Sequence, residues 1–94
     1  MYYECDEGWH PLIETFLNLV EYDVRVNGMP EVKILQIKEK FGELRIYYSG
    51  GNATTDAYKR FAESMSTKIC ETCGAPASSK SINGWWKTVC DDHT

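Results

Sequence analysis

Apolar residues in the first third of the chain recur at helical spacing. Leu12, Ile13, Phe16, Leu17, Leu19, Val20 and Val24 fall so as to share one face, given ~3.6 residues per helical turn. Gly8-Trp9-His10-Pro11 marks the entrance, because proline suits the first turn, where an N–H has no intrahelical partner. Asn27-Gly28 and Pro30 close this helix. Val32 to Lys40 and Glu43 to Ser49, rich in β-branched and aromatic residues, flank Phe41-Gly42 and predict an antiparallel hairpin. In this reading Leu35 and Ile37 face the core with Leu44, Ile46 and Tyr48, while Lys33, Lys38, Lys40 and Arg45 stay near water. Gly50-Gly51-Asn52 is a loop, and Asn52 or Thr54 caps a second helix with Ala57, Tyr58, Phe61, Ala62 and Met65 on one stripe. Ala77 to Ile82 and Trp85 to Val89 flank Asn83-Gly84, a strong two-residue hairpin signal because both turn positions require φ > 0. The order is helix, β-hairpin, helix and a C-terminal hairpin. This is an α+β fold in one compact domain, with residues 1–69 as core and 70–94 as the second hairpin.

That last hairpin lies inside the spacing Cys70-x2-Cys73-x16-Cys90-x2-His93. Two short-spaced pairs held together by a hairpin predict a closed zinc site of three thiolates and one imidazole, as in zinc ribbons and knuckles. Gly74 directly after Cys73 suits the tight turn such a ligand pair needs. A disulfide framework calls for an oxidising compartment, and the N-terminus shows neither a basic segment nor an apolar run of signal-peptide type. A thioredoxin-like pair would open a helix after a strand, whereas Cys70 follows the second helix. Cys5 is the remaining thiol. It could replace His93 in an all-cysteine site, but the two-residue gap from Cys90 favours His93.

With 94 residues, the chain is near the lower size at which one hydrophobic core suffices, and a structural Zn²⁺ would supply folding free energy directly. The formal charge of −4 is uneven. Glu4, Asp6, Glu7, Glu14, Glu21, Asp23 and Glu31 oppose Arg25 alone in the first third, whereas residues 32–69 are net basic. This balance argues against a protein held on duplex DNA by phosphate neutralisation. The absence of a leader-like segment or a membrane-length apolar run predicts a cytoplasmic protein.

Three separated motifs resemble segments of small, largely uncharacterised bacterial and bacteriophage proteins. They are Gly8-Trp9-His10-Pro11-Leu12, the stretch Gln36 to Tyr48, and Cys70-Glu-Thr-Cys-Gly-Ala-Pro76 followed by Gly84 to His93. The resemblance covers most of the chain and implies a zinc-knuckle protein of phage or mobile-element type, acting in the host-cell cytoplasm. It implies no catalytic activity. Ala75-Pro76-Ala77-Ser78-Ser79 departs from the pattern in having fewer glycines and basic residues, which weakens nucleic-acid contact through that loop.

Catalysis finds little support in the residues. Three thiolates and an imidazole would close the zinc shell, leaving no position for water. No nucleophile elbow, phosphate loop, deaminase motif or His-Glu-x-x-His run is present. His10 with Glu7 or Glu14 could form an acid–base pair, but at a helix entrance it reads as a surface or capping residue. Three surfaces remain. Trp85 and Trp86 with Lys87 are either aromatic filler of a small core or an exposed anchor for a protein partner. Lys33, Lys38, Lys40 and Arg45 near Tyr47 are either a solvated strand face or a groove for a nucleotide or single-stranded nucleic acid. The acidic first third is an ordinary polar helix face or suits a basic partner. The expected function is that of a non-catalytic, zinc-stapled interaction factor. It would bind and modulate a host protein, such as a defence or regulatory component, with nucleic-acid or nucleotide binding as the alternative.

Overall fold

The computed structural model describes residues 2–94, and Met1, where the N-terminal stretch read above begins, lies outside the described residues. The elements are β1 (Tyr3–Glu4), a 3-10 turn (Glu7–Trp9), α1 (His10–Val26), β2 (Val32–Lys40), β3 (Glu43–Gly50), α2 (Ala53–Ser66), β4 (Ser78–Ile82), β5 (Trp85–Val89) and a last 3-10 turn (Asp91–His93). The predicted helix, hairpin, helix and C-terminal hairpin are all present. One element is additional: β1 runs parallel to β2, pairing Tyr3 with Ile37 and Glu4 with Lys38, and gives a sheet ordered β1-β2-β3.

One face of this sheet carries the core. Ile37, Leu44 and Ile46 are fully buried against Trp9, Ile13, Phe16 and Val20 of the α1 side, and Ala62 of α2 joins them. Each large aliphatic side chain so buried contributes ~1.5–3 kcal/mol. Leu35 does not belong to this set, contrary to the alternation of the sequence. It is 56% exposed because the ladder slips between Ile34 and Gln36. A bulge adds one residue to the strand and reverses the parity on its far side. Val32 and Ile34 therefore share the inner face with Ile37, and Leu35 is left outside the core.

Helix α2 packs along the outer strand as well as over the sheet. The N–H groups of Leu44 and Ile46, which point away from β2, are bonded to Ser66 Oγ and Glu63 Oε2, each at 2.9 Å. Side chains of a helix thus seal an otherwise open strand edge. Asn52 caps α2 and its capping box is completed by Thr55. Thr55 is fully buried and also donates to Met29 Sδ. Three residues of the predicted helical stripes stand apart from the core: Phe61 is 67% exposed, Leu19 is about half exposed, and Ala57 is also exposed.

The two helices are antiparallel. Tyr58 near the start of α2 donates to Asp23 near the end of α1, while Trp9 Nε1 donates to Ile69 O at 2.9 Å beside the opposite ends. The Tyr58 hydroxyl, followed by the Asn27 side chain, holds the Asp23 carboxyl below its ordinary range. The sign is that of any depressed carboxylate: stability from this contact is present above the unfolded aspartate pKa and is lost as pH falls through the lower folded value. Tyr58→Phe is expected to return the Asp23 pKa upward, a shift readable by a carboxyl-carbon NMR titration.

Candidate metal centre

The two cysteine-bearing corners are built by backbone hydrogen bonds. At the first, Cys70 N–H donates to Ala75 O at 2.7 Å and Gly74 N–H to Cys70 O at 2.8 Å. Gly74 has φ 84°, a left-handed conformation that favours glycine. At the second, His93 N–H donates to Cys90 O at 3.0 Å in the last 3-10 turn. Strands β4 and β5 bring the corners together through a register from Ser78–Val89 to Ile82–Trp85. Their two-residue loop is Asn83 at φ 50° and Gly84 at φ 83°, the doubly left-handed turn that Asn-Gly predicts.

The result is a single cluster of Cys70, Cys73, Cys90 and His93, whose ligand atoms all lie within 4.8 Å of one another. Cys5, the alternative fourth thiol, is not part of it. A tetrahedral ion with metal–sulfur distances of ~2.3 Å sets its sulfurs about 3.8 Å apart. Cys73 Sγ and Cys90 Sγ are separated by 3.7 Å. With ~2.0–2.1 Å to nitrogen, sulfur and nitrogen should lie about 3.5 Å apart. His93 Nδ1 is 3.8 Å from Cys70 Sγ and 3.2 Å from Cys90 Sγ, bracketing that value and identifying Nδ1 as the inward-facing nitrogen. The donor set fits a metal that accepts soft sulfur and imidazole ligands.

The electrostatics prepare one thiolate. Burial opposes ionisation of Cys70, but the N–H groups of Cys90, Cys73 and Thr72 outweigh it and hold this thiol down at about 6. Desolvation, and then the hydrogen bond with Cys73, move the Cys90 thiol upward. Cys5 is half-buried against the core, where burial and then the carboxylates of Glu71, Asp6 and Glu39 push its thiol up to about 11. This is the environment of an inert packing cysteine.

The cluster is locked to the rest of the fold by three seams. Gly8 N–H donates to Glu71 O at 2.7 Å, and Asp6 N–H donates to the Glu71 side chain at 3.1 Å. Thr88, fully buried, donates to Gly42 O at 2.6 Å while its backbone carbonyl accepts Glu71 N–H at 2.9 Å. Trp9, also fully buried, bonds the carbonyl of Ile69, directly before Cys70. The corner between the first two ligands is thereby wedged between the α1 entrance and the tip of the β2–β3 hairpin.

Of the other residues singled out in the sequence, Trp85 and Trp86 are not core filler: they are 72% and 53% exposed. They project from opposite faces of β5. Trp85 shares its face with exposed Lys87, and Trp86 shares the other with Thr88, which is bonded to the Phe41–Gly42 turn. Sequence reasoning missed Phe41, which is 69% exposed and has φ 53°. A bulky residue in the left-handed region is strained, so an aromatic where hairpin turns prefer Asn or Asp was the available signal. Lys40 Nζ stands 5.8 Å from the Phe41 ring.

Lys33, Lys38, Lys40, Arg45 and Tyr47 do share the outer face of the sheet, but that face is not uniformly basic. Glu43 pairs with Arg45 at 3.9 Å, Glu4 accepts a hydrogen bond from Gln36 at 2.9 Å, and Lys59 of α2 lies 5.9 Å from the Tyr47 ring. His10 is half-buried instead of lying on the surface, its ring edge-to-face with Tyr3 at 5.1 Å. Among the described residues no helix is long and apolar enough to cross a membrane. Comparison of the chain with protein-family models, curated proteins and solved structures finds no match.

Proposed function

We propose that Cys70, Cys73, Cys90 and His93 hold one structural Zn²⁺, and that the protein is a non-catalytic interaction factor presenting Trp85, Trp86 and Lys87 to a protein partner. The observation that carries this reading is the exposure of both indoles on a hairpin whose two ends are tied by the four-ligand cluster. Tryptophan is enriched at interface hot spots, and a rigid support lowers the entropy lost on binding. Three thiolates and an imidazole complete a tetrahedral shell, which supports a structural role for the ion over a catalytic one. The resemblance noted above supports a phage-type factor in the cytoplasm whose partner is a host protein, such as a defence or regulatory component.

The test is affinity capture from bacterial lysate with wild type and the Trp85→Ala/Trp86→Ala double variant. Wild type is expected to retain a defined partner that the variant loses, with metal content unchanged and stability within about 0.5 kcal/mol, as for exposed substitutions. Equal capture by both proteins, or no partner for wild type, would overturn the assignment of this surface. Titration with labelled single-stranded RNA and DNA at two salt concentrations tests the outer sheet face. Tight binding that weakens steeply with salt would replace this reading by nucleic-acid recognition.

A further inference from the structure

Half of one sheet edge has open main-chain groups, and the register shows which residues own them. Leu44 and Ile46 of β3 turn their N–H groups away from β2. Main-chain direction alternates along a strand, so Tyr48 and Gly50 of β3 also turn away from β2. Their register partners are Ile34 and Val32, and both members of such a pair point outward. The N–H and C=O groups of Val32 and Ile34 therefore face the β1 side of β2. The bond from Gly51 N–H to Glu31 O at 3.0 Å fits this parity, since it places β3-directed groups on the residue before Val32. Strand β1 occupies the same edge but reaches only Ile37 and Lys38. Among the described residues nothing is bonded to the outward groups of Val32 and Ile34. Beside them an open groove of ≈ 450 Å³ separates β2 from α1, with Val32 and Ile34 on one wall and Leu17, Val20 and Val24 on the other. Its border is acidic. Glu21 and Glu31 stand there against Arg25 alone, which is already paired with Glu21 at 3.6 Å. Glu14, one turn before Leu17 on the same stripe, extends this border to β1, where it accepts the Tyr3 hydroxyl at 2.6 Å.

We infer that this edge binds an extended segment of a partner protein by strand addition, a segment with apolar residues at alternate positions flanked by lysine or arginine. The open groups select the occupant. Unpaired N–H and C=O groups along a sheet edge are matched by the main chain of another strand, and β1 already pairs with the neighbouring residues of this edge. Side chains two residues apart on an added strand share one face, so its apolar pair enters the groove between β2 and α1. The flanking cations then meet Glu14 and Glu21 on α1 and Glu31 at the foot of β2. Charge also argues against a second copy as the occupant, because edge-to-edge pairing of β2 would bring two acidic borders together. This surface is separate from Trp85 and Trp86 and does not depend on their role.

The test is an amide-resolved NMR titration of the metal-loaded protein with the capped peptide Lys-Thr-Val-Thr-Val-Thr-Lys, in which both valines and both lysines share one face. The Val32 and Ile34 amides are expected to shift saturably, and their hydrogen exchange to slow at least ~10-fold. Val32→Pro removes an edge donor but no bond to β3, a change that edge strands accept. It should weaken binding about 10-fold, equivalent to ~1.4 kcal/mol, with circular dichroism and metal content unchanged. The same peptide N-methylated on its interior amides should not bind, which tests the main-chain bonds even if the proline variant does not fold. Glutamate in place of both lysines should also weaken binding about 10-fold. No saturable shift at these two amides up to about 1 mM peptide, or equal binding by the N-methylated peptide, would overturn strand addition. Equal binding by the glutamate peptide would overturn the charge assignment. Slowed exchange of the two amides produced by raising the protein concentration alone would assign the edge to a second copy and overturn the proposed occupant.

Discussion

Removing the metal, by chelation or by Cys73→Ser, is expected to unfold far more than the hairpin that carries the ligands. Structural zinc in small domains contributes an apparent ~10–16 kcal/mol at neutral pH, comparable with the whole ~5–15 kcal/mol stability of a typical domain. The local loss would spread here because the ligand corners are also structural members of the core. Cys70 is fully buried, and its neighbours Ile69 and Glu71 accept hydrogen bonds from Trp9 and Gly8 at the mouth of α1. Without the ion the cluster would confine three thiols and an imidazole within a few ångström with no electrostatic compensation. The corner is then expected to open, withdrawing the acceptor for the Trp9 indole N–H and the seam at Gly42. Near-ultraviolet circular dichroism of a Trp85→Phe/Trp86→Phe background, in which buried Trp9 is the remaining tryptophan, should collapse together with the helical signal, and re-addition of Zn²⁺ should restore both. Loss of the metal with an undisturbed Trp9 signal would show that the hairpin is an independent appendage.

Gly8→Ala is the second large effect, and it tests the seam itself. A Cβ at this position would lie 2.1 Å from Cys70 O and 2.5 Å from Glu71 O. Both are backbone atoms of the metal-binding corner and have no rotamer through which to retreat. Either the corner withdraws and breaks the Gly8–Glu71 bond, or the α1 entrance tilts and exposes Trp9. Overpacking of this kind costs about 3 kcal/mol or more, a fall in Tm of roughly 12–24 °C for a domain of this size. Gly28→Ala is the contrast. Unlike Gly8 it needs left-handed backbone, with φ 70°, but nothing lies within 4 Å of the added carbon, so only ~1–2 kcal/mol is expected. Thermal melts and zinc affinities of the two variants check the difference. Equal stabilities would mean that the close approach is relieved at little cost.

Much of the fold was legible because its signals are local. Periodicity located both helices, Asn83-Gly84 fixed the second hairpin, and the Cys-x2-Cys and Cys-x2-His pairs located the cluster. What escaped depends on residues tens of positions apart. Tyr3–Glu4 is too short to announce a strand and exists only through its pairing with Ile37 and Lys38. Leu35 fits the alternation of β2, and only the register against β3 reveals the bulge that expels it. Glu63 and Ser66 read as ordinary helix residues until β3 supplies the N–H groups they accept. Trp85 and Trp86 were open to two readings because a two-stranded hairpin has no cover of its own, and whether another element supplies it is a tertiary matter. Their exposure, with that of strained Phe41 beside the same strand, sets an aromatic surface next to the ligand cluster.

One ion held by three thiolates and one imidazole would fix this hairpin in place. Elemental analysis of the purified chain, combined with native mass spectrometry, measures it directly. One zinc per chain is expected, reduced to none in Cys73→Ser. A fully folded wild-type protein that carries no metal at all would rule out a structural role for an ion in this hairpin.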